Sequence, residues 1–450
     1  MRSLLPLLAL ISIADAARPR FTGAFPWARV PTMCQTHIDG RFVRSGNMTG
    51  VGRLDDKVLR FLAENYDLIV AGNLEPGRGG CLEPKIKDFA DRIASFNPHA
   101  RVLVYEANQI HHGALLPPGQ KPESQYLCGL DNFKPEWIAT WDNGTRATVH
   151  GGKNYVTNLS IPAARKWWID VISNSTMGKN VHGVFADNGL DSAPSFASPA
   201  RGAALLRGQQ ALLDEARQAG KYTIFNGIRY AGVRPNGSVR DDYTALDVLL
   251  PHASAGYAEP WLSSMYRNTT TGKLNEAYVT HGLLRMINVS REQPTRGITF
   301  KSGPGPCVGY VAGLLGCTWP FANGTTKPVP NGWNGTPKTA AAMREAAAKL
   351  ITFPLATFLC AAGPKWNLDY TWGYEVNHFV PGEKGTHALA GQPNLASYAP
   401  DDWYPDLLKA PGTPLEECEF DEKTSTFRRE WSGVSVSLNV RNETAVIHWK

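Results

Sequence analysis

The chain has 450 residues, 43% of them hydrophobic, and its 46 basic and 40 acidic side chains leave a formal net charge of +6. That excess is spread along the chain instead of gathered into a basic patch or stripe, which argues against a nucleic-acid binder. Seven cysteines are too few to frame a chain of this length, so a large apolar core must supply most of the stability.

The first residues, MRSLLPLLALISIADAA, place one arginine before an apolar run and then offer Ala14-Asp15-Ala16. This is the pattern of a secretory signal peptide, and residues 1–16 are expected to be removed. No later stretch reaches the about 18 continuous apolar residues of a spanning helix. A secreted or extracellular protein is therefore expected, with the secretory-pathway lumen as the other location. Ten N-x-S/T sequons agree with export, at Asn47, Asn143, Asn158, Asn174, Asn236, Asn268, Asn288, Asn323, Asn334 and Asn442. N-linked glycans are expected on them, mostly in surface loops.

Apolar runs then alternate with segments of helical composition. FPWARVPTMC, from Phe25 to Cys34, reads as a first strand, and RLDDKVLRFLAENY, from Arg53 to Tyr66, as an amphipathic helix. DLIVAGN is a second strand, KIKDFADRIASFN a second helix, and ARVLVYEAN a third strand followed by a long polar and aromatic loop. PAARKWWIDVISNS opens with proline at a first helical position and leads into VHGVFADNGLDS as strand four. Ala203 to Gly220 is a strong helix ending in glycine before the strand KYTIFNG. Strand six is expected around Gly256 to Glu259, strand seven at GITFKSGPG, and strand eight at NLDYTWGY after a long helix from Thr339 to Gly363 bent at Pro354.

Eight strands alternating with helices predict an α/β fold, a (β/α)8 TIM barrel over residues 17–411. No G-x-G-x-x-G follows an early strand, which weakens a dinucleotide-binding alternative. From Gly412 onward the text alternates Val434, Val436 and Leu438 and then Val446, Ile447 and Trp449, predicting a short C-terminal antiparallel β appendage over 412–450. Cys307 with Cys317 and Cys81 with Cys128 are the expected disulfides, whereas Cys34 and Cys360 read as buried apolar positions.

In such a barrel chemistry belongs at the C-terminal strand ends. The residues there are rich in carboxylates, amides and aromatics, a set that suits sugar hydroxyls and apolar sugar faces. Asp187 after strand four and Glu259 at strand six form the expected catalytic pair, Asp187 as nucleophile and Glu259 as general acid/base. Asp-Asn-Gly is also an ordinary turn sequence, in which Asp187 would accept backbone hydrogen bonds. Asp191 is the alternative catalytic acid. Substrate contacts are expected from Asp39, Asn73, Glu106, Asn188, Asn226, Trp261, Asp369, Trp372 and Tyr374. No metal site is expected, because His37 and His111-His112 lack any H-E-x-x-H or compact Cys/His spacing. No cofactor is expected either.

HGVFADNGLD, YAEPW, FPLATFLCAAG with NLDYTWGY, and PLEECEFDEKTSTFRREWSGVSVSLNV together resemble a glycoside hydrolase family with a β/α barrel, in the general style of polygalactosaminidase-like and other α-glycosidase barrels. The resemblance runs from about Phe25 to Trp449. It implies that Asp187 and Glu259 occupy the acidic positions of strands four and six, that Asp191 matches a further acidic position, and that a terminal strand pair closes against the barrel. A secreted glycoside hydrolase acting on an oligosaccharide or polysaccharide follows as the expectation. The alternatives are a noncatalytic carbohydrate-binding barrel and a polysaccharide lyase, the latter kept in view by Arg229 and Lys301.

Overall fold

A computed structural model describes residues 25–37, 56–72, 81–108, 110–111, 127, 130, 132–149, 154–187, 189, 199–228, 232–233, 239–240, 244–259, 261–262, 273–302, 348–370 and 404–450. The expected signal peptide, Cys128, Cys307, Cys317, Arg229 and the sequons at Asn47, Asn236, Asn268, Asn323 and Asn334 lie outside the described residues.

Eight strands form one sheet in chain order: β1 Met33–His37, β2 Leu68–Gly72, β3 Arg101–Ala107, β4 Val181–Asp187, β5 Tyr222–Asn226, β6 Ala255–Ala258, β7 Gly297–Ser302 and β8 Asn367–Tyr370. Every neighbouring pair is parallel. A parallel bridge between Thr32 and Leu368, with the Leu368 N–H donating to the Pro31 carbonyl at 2.9 Å, joins the last strand to the first. The sheet is therefore closed, and the fold is a (β/α)8 barrel with the connecting helices outside it.

The helices are α1 Asp56–Asn65, α2 Glu83–Phe96, α3 Pro162–Ile172, α4 Pro199–Gln218, α5 Thr244–Val248, α6 Glu276–Glu292 and α7 Thr352–Ala361. Strand side chains alternate between two cores, as the pleat requires. Met33, Leu103, Phe185, Ile224 and Tyr257 fill the lumen. Val104, Val184, Ala186, Phe225, Phe300 and Leu368 face the helices. Burying each of the larger of these side chains contributes on the order of 1.5–3 kcal/mol, and alongside them Gln35, Thr223, Thr299 and Asn367 are buried polar residues within the strands.

Within the barrel, three elements differ from the sequence reading. The first strand is Met33–His37, because Pro26 and Pro31 lack the N–H that a sheet ladder needs; Phe25 instead packs in the lumen core. The long loop after β3 carries a small antiparallel sheet in which residues 154–156 pair with both 110–111 and 148–149. The helix over Thr339 to Gly363 breaks at Ile351, after a helical turn at 348–350, and Pro354 sits in the first turn of α7, where a missing N–H leaves no intrahelical bond unmade.

The tail is a four-stranded antiparallel meander, more than the expected strand pair: β9 Glu419–Asp421, β10 Thr426–Glu430, β11 Val434–Asn439 and β12 Thr444–Trp449. Val434, Val436 and Leu438 turn inward on alternate positions of β11. Trp431 lies 4.8 Å from Trp27 between ring centroids and donates its indole N–H to the Leu359 carbonyl of α7. Cys360, expected to be a buried apolar position, is disulfide-bonded to Cys418, tying α7 to the tail. Cys81 is also in a disulfide, and Cys34 is free and buried.

Candidate active site

Asp187, Asn226, Glu259, Lys301 and Asp369 stand at or near the C-terminal ends of β4, β5, β6, β7 and β8, the first three two positions after the lumen-facing Phe185, Ile224 and Tyr257 and the last two next to the helix-facing Phe300 and Leu368. Five neighbouring strands thus aim polar side chains into one mouth.

Asn226 joins the expected catalytic pair. Its Nδ2 donates to Asp187 Oδ1 at 2.9 Å and to Glu259 Oε2 at 2.7 Å. Only the amide nitrogen can lie between two carboxylates, since its oxygen would face them as a third acceptor. The separation of those two oxygens cannot exceed the sum of the two hydrogen bonds. Tyr105, one lumen step back on β3, donates its hydroxyl to Asp187 Oδ2. Burial, and after it the Asp187 charge, raise the Tyr105 phenol well above its usual value, so it stays a donor. Both Asp187 oxygens therefore face donors, an arrangement suited to the acceptor-only carboxylate.

Glu259 is held differently. Oε2 is taken by Asn226, while Oε1 accepts no hydrogen bond and lies 3.8 Å from Lys301 Nζ, an ion-pair separation. The Glu259 side chain is 19% exposed and that of Lys301 1%, so the glutamate is partly open while its Oε1 and the ammonium are buried. Burial lowers the Lys301 ammonium, opposed by Glu259, Asp369 and Asp187. Asp369 is buried and accepts from Tyr257 Oη at 2.6 Å. Desolvation raises its carboxyl from 3.8 to about 6, against the lowering effects of Lys301 and Tyr257.

The remaining expected contacts divide. Asn226 and Asp369 are at the mouth, but their side chains are engaged by the neighbours just named. Trp261, expected as a sugar platform, is 1% exposed, packs 4.8 Å from Phe300 and donates to Thr357 Oγ1 at 3.2 Å. It belongs to the core between β7 and α7 and cannot stack on a ligand. Asp39, Asn73, Asn188, Asp191, Trp372 and Tyr374 lie outside the described residues.

Glu106 is a second correction. It is level with Ala186 in the β3–β4 register, on the helix-facing side of the sheet, and is buried there instead of reaching the lumen. Burial raises its carboxyl from 4.5 to about 8, with Asp187 and Glu83 adding to the rise and a backbone hydrogen bond at Ala107 opposing it. Between those two values the folded protein holds a proton that the unfolded chain has released. Stability should therefore fall as pH rises through this window. Glu106→Gln should flatten that slope in urea unfolding measured from pH 5 to 8, and a slope identical to wild type would contradict the assignment.

Tyr257 is the residue that sequence reasoning missed, while Tyr105 and Lys301 were noted at strand ends without a role in the catalytic or substrate set. The signals for Lys301 were its place near the C-terminal end of GITFKS and its charge in an otherwise neutral strand. Tyrosine is common in strands and gave none.

Among the described residues no group of three or more His, Cys, Asp or Glu could hold a metal ion, and no helix is long and apolar enough to cross a membrane. Of the five described sequons, Asn143 and Asn442 are exposed, Asn158 and Asn174 are half-buried in Asx turns, and Asn288 lies within α6 instead of a loop.

No family model and no curated protein matches the sequence. Among solved structures the chain is similar to a noncanonic maltogenic α-amylase from Thermotoga neapolitana, at 9% identity, covering 92% of this chain and 86% of that one with a TM-score of 0.46. It is similar to a cyclic α-maltosyl-(1→6)-maltose hydrolase from Arthrobacter globiformis in complex with maltose, at 11% identity, 92% of each chain and a TM-score of 0.46. It is also similar to an α-galactosidase from Geobacillus stearothermophilus in complex with raffinose, at 9% identity and a TM-score of 0.40, covering 92% of this chain but 48% of that one. So distant a likeness assigns no activity to this chain.

Proposed function

We propose that the protein is a glycoside hydrolase that cleaves O-glycosidic bonds of an oligosaccharide or polysaccharide with net retention of anomeric configuration. The observation that supports this reading is the single amide nitrogen of Asn226 donating to both Asp187 and Glu259 at 2.9 and 2.7 Å. The bridge supports retention because the two oxygens it joins can be no farther apart than the sum of those hydrogen bonds, short of the about 6.5–9.5 Å that leaves room for water in inverting enzymes.

In the first step the Asp187 carboxylate attacks the anomeric carbon. The glycosidic C–O bond breaks, its electron pair stays on the leaving oxygen, and that oxygen takes the proton of Glu259. Water then attacks the same carbon while Glu259 takes its proton back, and the ester bond to Asp187 breaks to restore the carboxylate. Asn226 and Tyr105 fix the nucleophile, and Asn226 and Lys301 hold the Glu259 carboxyl that gives and takes back the proton.

We infer as well that the chain enters the secretory pathway, a reading supported by the apolar N-terminal run, the sequons and the Cys360–Cys418 disulfide.

The test is a panel of neutral, amino and acidic polysaccharides incubated with the mature protein, the products being followed by mass and by proton NMR of the first-formed anomer. Reducing sugar appearing in the configuration of the substrate linkage is the expected result. An inverted product rejects retention, an unsaturated product makes the protein a lyase, and saturable binding without turnover makes it a binding barrel.

A further inference from the structure

Below the two carboxylates the lumen holds a second polar group that the double displacement does not itself require. Lys301 and Asp369 are direct neighbours in the β7–β8 register, and both face the lumen. Lys301 Nζ lies 3.8 Å from Glu259 Oε1 and 6.0 Å from the centre of the Tyr257 ring. Tyr257 in turn donates to Asp369 at 2.6 Å. The circuit runs from Glu259 through Lys301 and Asp369 back to β6, two residues before Glu259. Lys301 and Asp369 are 1% and 3% exposed, so water screens them little.

A fully buried ammonium is costly unless paired, and an aliphatic residue would fill the space at less expense. Facing Glu259 are Asp187 on β4, Tyr105 on β3, Lys301 on β7 and Asp369 on β8, with Tyr257 on its own strand. Three carboxyl groups thus share one cation. Its position 3.8 Å from the Glu259 carboxyl, away from water, is where a positive charge acts most strongly on that group.

We propose that Lys301, set beside Asp369 and Tyr257, is a positioning residue that holds the Glu259 carboxyl and couples it electrostatically to Asp369. This inference rests on the glycosidase reading for its catalytic meaning, but the buried pair can be tested without substrate. Removing Lys301 takes a cation from among carboxyl groups, so they keep their protons to higher pH. Removing the Asp369 charge does the reverse.

Two measurements test it on the mature protein. In a carbon-13 NMR titration the Asp369 carboxyl, assigned through Asp369→Asn, should have its midpoint near pH 6 in the wild type. In Lys301→Met it should rise by about one pH unit or more. In pH profiles of kcat, Lys301→Met should move the alkaline limb up and Asp369→Asn should move it down, each by about one unit, with KM changed less than kcat.

Asp369→Asn keeps an oxygen for Tyr257 and carries the profile test if Lys301→Met fails to fold. An Asp369 midpoint unmoved in a folded Lys301→Met, or limbs that stay in place or shift in the same direction, overturns the proposal. A wild-type protein that turns over no glycoside counts against the glycosidase reading alone, because the titration still decides whether the pair is coupled.

Discussion

Asp187→Ala is expected to lower turnover by about 10⁴-fold or more, the scale on which loss of a nucleophile acts. Glu259→Ala should cost about 10²–10⁴-fold, the range of general acid–base catalysis, and least for substrates whose leaving group needs no proton. Added azide separates the two roles. In Asp187→Ala it can enter the space left by the carboxylate and attack the anomeric carbon directly, giving a glycosyl azide of inverted configuration. In Glu259→Ala the covalent intermediate still forms, and azide then captures it with overall retention. The same azide product from both variants, or full activity in either, would remove the proposed assignment. Asn226→Ala should fall between wild type and these variants, because it takes away the donor that holds both carboxylates without deleting either one.

The second large effect concerns stability and lies far from the mouth. Arg429 on β10 is buried, and its Nη1 donates to the carbonyls of Leu359, Cys360 and Ala362 at 3.2, 2.8 and 2.8 Å. Its Nε donates to the Glu416 carbonyl at 3.1 Å, and its guanidinium lies 4.7 Å from the centre of the Trp431 ring. The last turn of α7 leaves carbonyls without intrahelical partners and carries the negative end of the helix dipole. A guanidinium, which stays charged even though burial lowers it to about 10, satisfies both demands.

Arg429→Met keeps most of the volume and strands the buried Cys360 and Ala362 carbonyls, while Leu359 keeps the Trp431 indole. It should lower unfolding stability by about 3–5 kcal/mol, read as a lower urea midpoint at unchanged slope. Arg429→Lys should recover only part of the loss, since one ammonium cannot reproduce the planar fork. A midpoint equal to wild type in Arg429→Met would mean that water can take over those carbonyls and that the tail does not brace the barrel. The consequence for the site is direct. The α7 end leads within a few residues to β8 and Asp369, so the C-terminal sheet steadies one wall of the polar lumen.

Much of this was legible in the sequence. Helices and strands differ in apolar period, proline and glycine mark their ends, and eight strand runs separated by helical segments leave few topologies other than a barrel. Once the barrel is taken, position along the chain is enough to put Asp187 and Glu259 at strand ends one strand apart, and Asn226 on the strand between them donates to both.

What sequence alone could not determine is which way each side chain points at the end of a short strand. Glu106 and Tyr105 are adjacent and both polar-capable, yet the pleat sends Tyr105 to Asp187 and buries Glu106 against the helices. Trp261 stands two residues after Glu259, where the chain leaves the ladder and the strict alternation lapses, and it turns into the core beside Phe300. Lys301 reads as an isolated charge until the register sets it beside Asp369 and below Glu259. The Cys360–Cys418 bond spans 58 residues and depends on the tail folding back onto α7, which no local pattern encodes. Local periodicity determined the elements and the strand ends of this protein. The phase of each strand and the long-range pairings, which only the closed barrel sets, decided which residues share the site.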